Sequence, residues 1–127
     1  MRIAIDSNRY TDYCRGDERA AEVIRSSSEI WIPLIVLGEL RAGFAHGSRQ
    51  PDNEKVLTKF LNSSRVRVVS PDEQTTHFYA AVYAGLRKKG RPIPTNDLWI
   101  AAIVLQHDLV LFDRDSDFDH IANLARV

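Results

Sequence analysis

Four short runs of apolar, largely β-branched residues, at 3–5, 30–32, 66–69 and 109–112, punctuate the chain, and each pair is separated by stretches of helical character. Residues 18–26 (ERAAEVIRS) place Ala21 and Ile24 on one face with charges opposite. Residues 34–45 follow Pro33, which suits a helix's first turn. Residues 52–61 space Val56, Leu57, Phe60 and Leu61 at helical intervals, and residues 75–89 carry Phe78, Val82 and Leu86 on one stripe that stops at Gly90. Asn96 can cap a helix from Asp97 to about Gln106. Strands alternating with helices imply βα units and a parallel sheet. Strands that are apolar throughout, rather than alternately, imply that the sheet is covered on both faces. Four strands are too few for a barrel, so the expected fold is a three-layer α/β sandwich with a mainly parallel central sheet. Sites in such sheets form outside the carboxyl ends of the strands, where the connections diverge.

Residues 1–127 read as a single domain, large enough to bury a core without disulfides. The one cysteine, Cys14, excludes an internal disulfide and a multi-cysteine zinc site, and nothing near it in sequence would activate it. No apolar run approaches the roughly 20 residues of a membrane span, and the first residues lack the pattern of a secretory signal. A cytoplasmic protein is therefore expected. Lys plus Arg and Asp plus Glu both number 17, which argues against a protein that holds nucleic acid by phosphate neutralisation alone. The charge is nevertheless uneven: residues 87–91 (RKKGR) are basic and residues 113–119 (DRDSDFD) acidic. Tyr10, Tyr13, Trp31 and Trp99 read as core rather than interface.

The carboxylates carry the chemistry. Asp6 follows the first strand without a break, in IDSN. Glu39 lies in PLIVLGELRAG among Leu34, Ile35, Val36, Leu37 and Leu40, so it is expected to be partly buried, where an unpaired carboxylate takes a proton or a cation. Asp97 opens the apolar helix LWIAAIVL; a first-turn acid can serve the helix dipole, but Asn96 can do the capping and leave Asp97 free. Asp113, Asp115 and Asp117 follow the last strand. Their alternation resembles part of a calcium loop but lacks its glycine and terminal glutamate. Acids from four regions repel one another unless cations lie between them. Oxygen donors with no His or Cys in the set favour Mg²⁺ or Mn²⁺ over Zn²⁺. His46, His77, His107 and His120 fall at no metal-binding spacing.

The ordered motifs IDSN (5–8), VLGEL (36–40), NDLWIAA (96–102) and LVLFDRDSDF (109–118) resemble the PIN-domain ribonucleases, and within them the VapC toxins of bacterial toxin–antitoxin pairs. The resemblance runs over essentially the whole chain. It implies a metal-dependent endoribonuclease of PIN-like fold that uses Mg²⁺ or Mn²⁺ to hydrolyse RNA phosphodiesters by activated water, with Asp6, Glu39, Asp97 and Asp115 as catalytic and metal-ligating acids. Asp115 is preferred because the family's last acid usually stands three residues before a Phe, here Phe118. Asp113 then stands where the family often has Thr, Ser or Asn, and is the alternative ligand. Ser7, in place of a frequent Thr, together with Asn8 and Asn96 is expected to order the pocket. Arg9, Lys88, Lys89 and Arg114 are candidate contacts to the RNA backbone. The family further implies a homodimer and a VapB-like antitoxin partner. Two other readings compete. A phosphotransferase would want Asp-x-Asp after the first strand, but position 8 is Asn; a catalytically silent, receiver-like Mg²⁺-binding or interaction module would want paired acids there.

Overall fold

A computed structural model describes residues 1–127. Its strands are β1 (Arg2–Ile5), β2 (Glu29–Pro33), β3 (Val66–Val69) and β4 (Val110–Phe112). They form one sheet in the order β3-β2-β1-β4, and every neighbouring pair is parallel. Parallel neighbours require crossover connections, and pairs of helices supply them. Helices α1 (Ser7–Cys14) and α2 (Glu18–Ser26) join β1 to β2. Helices α3 (Leu34–His46) and α4 (Gln50–Leu61) join β2 to β3, and α5 (Glu73–Lys88) and α6 (Thr95–Gln106) join β3 to β4. The expected three-layer sandwich is the fold observed.

The strand order fixes where a site can form. From β1 the chain goes to β2 on one side, whereas β4 lies against β1 on the other. The crevice between the carboxyl ends of β1 and β4 is thus the topological switch point of the sheet. Ile5 pairs in register with Phe112, and the Asp6 amide continues the ladder by donating to the Phe112 carbonyl at 3.1 Å. The residues that follow, Asp6 and Asp113, therefore leave the sheet side by side.

Packing explains the helices. In α6 the side chains of Leu98 and of residues 100–104 are all buried, so this helix is enclosed on most sides and its first turn is carried to the sheet edge. Helix α5 begins with a capping box between Asp72 and Thr75 and is followed by Gly90 at φ +67, a backbone conformation that glycine adopts without strain. Ile3, Ile5, Ile30, Ile32, Leu111 and Phe112 form the sheet's contribution to the core, each no more than 1% exposed. Tyr10 and Trp31 are buried, and Tyr13 and Trp99 pack at 5.8 and 4.4 Å between ring centroids against Phe60 and Tyr79.

Three features depart from the sequence expectations. Helix α1 was not expected; its sequence, SNRYTDYC, buries only Tyr10 and shows no apolar stripe. Helix α6 starts two residues early, after Pro94, so Asn96 stands inside the first turn and is not the cap. Strand β3 is an edge strand with Val68 45% exposed, so coverage on both faces does not extend to it. The opposite edge is covered: residues 125–127 run beside β4, with the Leu111 amide donating to the Ala125 carbonyl at 2.8 Å and the Val127 amide to the Leu111 carbonyl at 3.0 Å.

Candidate metal centre

Asp6 ends β1 and at the same time caps α1, its Oδ1 accepting the Ser7 amide at 2.8 Å. The contribution of Ser7 is therefore its backbone N–H. The acid is 4% exposed. Burial pushes its carboxyl up to about 6; the Ser7 bond opposes this, and the charges of Glu39, Asp113 and Asp115 add to it. Acids following β1, in α3 and in the segment after β4 thus lie near enough for their charges to interact. Asp97, 8% exposed in the first turn of α6, is pushed up to about 7. Burial is the leading cause, followed by the adjacent Asp117 carboxyl and the charges of Asp115 and Asp6. One carboxylate oxygen from each of Asp97, Asp115 and Asp117 lies within 4.8 Å of the other two.

Glu39 stands in the second turn of α3. Its Oε2 receives the Asn96 side-chain amide at 3.5 Å, while its Oε1 is buried with no hydrogen-bond partner at all. Asn96 thus touches the acid pocket through Glu39 rather than through a helix cap. Asn8 is exposed and its side chain makes no hydrogen bond to any of the acids.

The acidic segment after β4 is a ladder of side-chain turns. Asp113 Oδ2 accepts the Asp115 amide at 2.9 Å, and Asp115 Oδ1 accepts the Asp117 amide at 2.9 Å, the local bonding that Asp favours in turns. The second bond caps a 3₁₀ turn over Ser116–Phe118, anchored by the buried Phe118, and this turn swings Asp117 back toward Asp97. Asp117 is the acid that the sequence reading left out of the site, although the D-x-D-x-D alternation is itself the signal of such a ladder. Asp113 is nearly inaccessible, and both of its oxygens are engaged by Arg126, at 3.0 Å from Nε and 2.7 Å from Nη2.

Arginine pairing sorts the carboxylates into two sets. Asp12, Asp113 and Asp119 are held by Arg9, Arg114 or Arg126, and the Arg114 bond holds the Asp12 carboxyl below the usual carboxylate range. Asp6, Glu39, Asp97, Asp115 and Asp117 have no basic partner. Buried or half-buried carboxylates without cationic side chains, one with an orphaned oxygen, are what a hard divalent cation requires. The residues present fit such a metal.

Of the candidate phosphate contacts, Arg9 stacks over the Phe112 ring at 4.8 Å and bonds Asp12. Arg114 makes a two-point pair with Asp12. Both flank the acids with part of their hydrogen-bonding capacity already used. Lys88 and Lys89 are exposed at the end of α5, and Lys89 donates to the His120 carbonyl at 2.7 Å. The short 89–94 connection brings them to the end of α6 on which Asp97 stands. No helix is long and apolar enough to cross a membrane.

The PIN-domain family model matches residues 3–124. The ribonuclease VapC1 of Haemophilus influenzae strain R2866 is 32% identical over 107 residues, covering 79% of this chain and 78% of that protein. A solved structure of VapBC-1 from nontypeable Haemophilus influenzae superposes with a TM-score of 0.86 at 26% identity, covering 100% of this chain and 97% of that one. VapBC2 from Rickettsia felis, solved bound to a DNA fragment from their promoter, shares the fold with a TM-score of 0.88 at 24% identity, covering 100% and 98% of the two chains.

Proposed function

We propose that this chain, which belongs to the PIN-domain family and is VapC-like within it, is a Mg²⁺- or Mn²⁺-dependent endoribonuclease, the toxin of a toxin–antitoxin pair. The observation that carries this reading is the set of five carboxylates without basic partners at the β1/β4 switch point, with Glu39 Oε1 buried and orphaned among them. A receiver-like module would gather its acids beside the first strand; here they come from four separate segments. In the proposal residues 1–127 act as one PIN domain in the cytoplasm.

When bound, the divalent cation supplies Lewis-acid chemistry, activating water and offsetting charge on the phosphodiester. Asp6 and Asp97 are its principal ligands, with Glu39 and Asp115 completing the set and Asp117 added to it. Burial raises the carboxyls of Asp6 and Asp97 to about 6 and about 7 in the metal-free fold, so a cation held by them would compete with protons at these two acids. Asp115 and Asp117 are held by the turn ladder, so both carboxylates are oriented before substrate arrives. Asn96 orients Glu39 through its amide. Arg9, Arg114, Lys88 and Lys89 then meet the RNA backbone as phosphate contacts, which position the strand without reading its sequence. Relatives solved as VapBC assemblies support an antitoxin: a VapB-like partner is expected to cover the acid pocket, and a homodimer is proposed from the family resemblance alone.

The test uses a labelled RNA pool, the purified protein, Mg²⁺ or EDTA, and the variant Asp6→Asn. Cleavage is expected with Mg²⁺ alone and is expected to vanish with EDTA or in the variant. Cleavage that survives either change overturns the reading.

A further inference from the structure

The Asp113 carboxylate sits at the carboxyl end of β4 beside Asp6, yet both of its oxygens are already engaged by hydrogen bonds. Its Oδ1 receives Arg126 Nε, and its Oδ2 receives both Arg126 Nη2 and the Asp115 amide. Four of the five N–H donors of the guanidinium are used as well. Its Nη1 donates to Asp119 Oδ1 at 2.6 Å, and Nη2 also donates to the Asp115 carbonyl at 2.9 Å. One side chain therefore grips three points of the acidic segment, two before the 3₁₀ turn and one after it. Its backbone is fixed by the pairing of residues 125–127 with Leu111, so the grip is in register with β4 itself.

We propose that Arg126 is a positioning residue for the metal centre. It withdraws Asp113 from the set of metal ligands and clamps residues 113–119 so that Asp115 and Asp117 face Asp97. Two-point arginine–carboxylate pairing fixes direction as well as distance, and a Lys at this position would give one point of contact in place of the fork. Without the guanidinium, the buried Asp113 becomes an uncompensated charge beside Asp6. It is then released to turn into the pocket and compete for the cation, and it pulls the Asp115 amide with it. This inference rests on the metal-nuclease reading, because it assigns Arg126 a role toward that centre.

The test compares wild type, Arg126→Gln, Asp113→Asn and the double variant. It measures Mn²⁺ affinity by the electron paramagnetic resonance of free Mn²⁺, unfolding temperature in EDTA, and the kcat and KM of RNA cleavage. Arg126→Gln is expected to lose at least tenfold in Mn²⁺ affinity and in kcat, with KM changing less than threefold. Asp113→Asn, which keeps an oxygen for the Asp115 amide, is expected to bind Mn²⁺ within threefold of wild type. The double variant removes the buried charge with its partner but does not restore the lost grip on Asp115 and Asp119. It is expected to regain part of the loss, and no recovery at all would overturn the withdrawal of Asp113. If Arg126→Gln does not fold, Asp113→Asn and the double variant carry the comparison. A drop in unfolding temperature with unchanged Mn²⁺ affinity makes Arg126 merely structural and overturns the inference. So does a loss in Asp113→Asn as large as in Asp97→Asn, which would make Asp113 a ligand. If wild type itself neither binds Mn²⁺ nor cleaves RNA, the nuclease reading falls and the inference with it. If wild type does both and Arg126→Gln matches it, the inference alone falls.

Discussion

At the residue scale, the two acids pushed furthest from ordinary carboxylate behaviour are the two whose ionised forms the fold opposes. Asp97 is enclosed by the start of α6 and faces Asp117, Asp115 and Asp6. Its ionisation destabilises the metal-free protein, because the unfolded chain gives up the same proton without resistance. Replacing it with Asn removes that opposition and keeps an amide of similar shape. Asp97→Asn is therefore expected to unfold at a higher temperature than wild type in EDTA at pH 8, with the gap closing toward pH 5. The same variant is expected to gain no stability from Mn²⁺ and to lose RNA cleavage. Differential scanning fluorimetry across that pH range checks it; a variant no more stable than wild type at pH 8 refutes the account of Asp97.

At the element scale, what could be read from the sequence depended on whether an element is held by its own pattern or by distant partners. The strands and helices α2 to α6 show apolar spacing that marks them as elements, so their existence was legible, although β3 is largely exposed and some ends shifted. Helix α1 depends instead on the Asp6 cap and on Tyr10 meeting Phe60 edge-to-face at 5.3 Å, a contact across tens of residues that local pattern does not encode. The site divided in the same way. Asp6, Glu39 and Asp97 could be proposed from the sequence because each is an acid in an apolar or strand-end setting, and the fold brings their charges within reach of one another. Between Asp113 and Asp115 only the family motif favoured Asp115, and the pairing of Asp113 with Arg126 was not legible, because Arg126 stands in a segment too short to read as structure. The junction of α5 and α6 shows how such distant ties stabilise elements. The fully buried Thr75 hydroxyl bonds Gln106, and Gln106 reaches Asp72 Oδ1 at 2.9 Å, so the start of α5 is tied to the end of α6. Thr75→Val strands these partners at the end of α6 away from the acid pocket. It is expected to cost about 1–3 kcal/mol, seen as a lower denaturation midpoint in urea, with Mn²⁺ affinity unchanged within twofold. A midpoint equal to that of wild type would remove the tie from the account of how α6 is held.

At the scale of the whole molecule, a net charge of zero hides a strongly polarised arrangement. Carboxylates from four segments are gathered at one sheet edge and left unpaired, while the acids around them are neutralised by arginine. The fold therefore carries an electrostatic load that only protons or cations relieve, and its sign with pH follows from the two raised acids. Below about pH 4 Asp6 and Asp97 are protonated in both the folded and unfolded states, and they impose no penalty. Between pH 4 and 7 the unfolded chain loses these protons while the fold still holds them, so stability falls as pH rises. For Asp6 alone, moved from 3.8 to about 6, the loss above pH 7 is on the order of 3 kcal/mol. Asp97 acts in the same direction. A cation that replaces the protons stabilises the fold most where the penalty is complete. In EDTA the unfolding temperature is expected to fall between pH 5 and pH 8. With saturating Mn²⁺ it is expected to stay nearly level, so the gain from metal is small at pH 5 and largest at pH 8. The measurement is a pair of pH series with and without Mn²⁺, and equal metal-induced gains at pH 5 and pH 8 would show that proton release at Asp6 and Asp97 is not what couples metal binding to the fold.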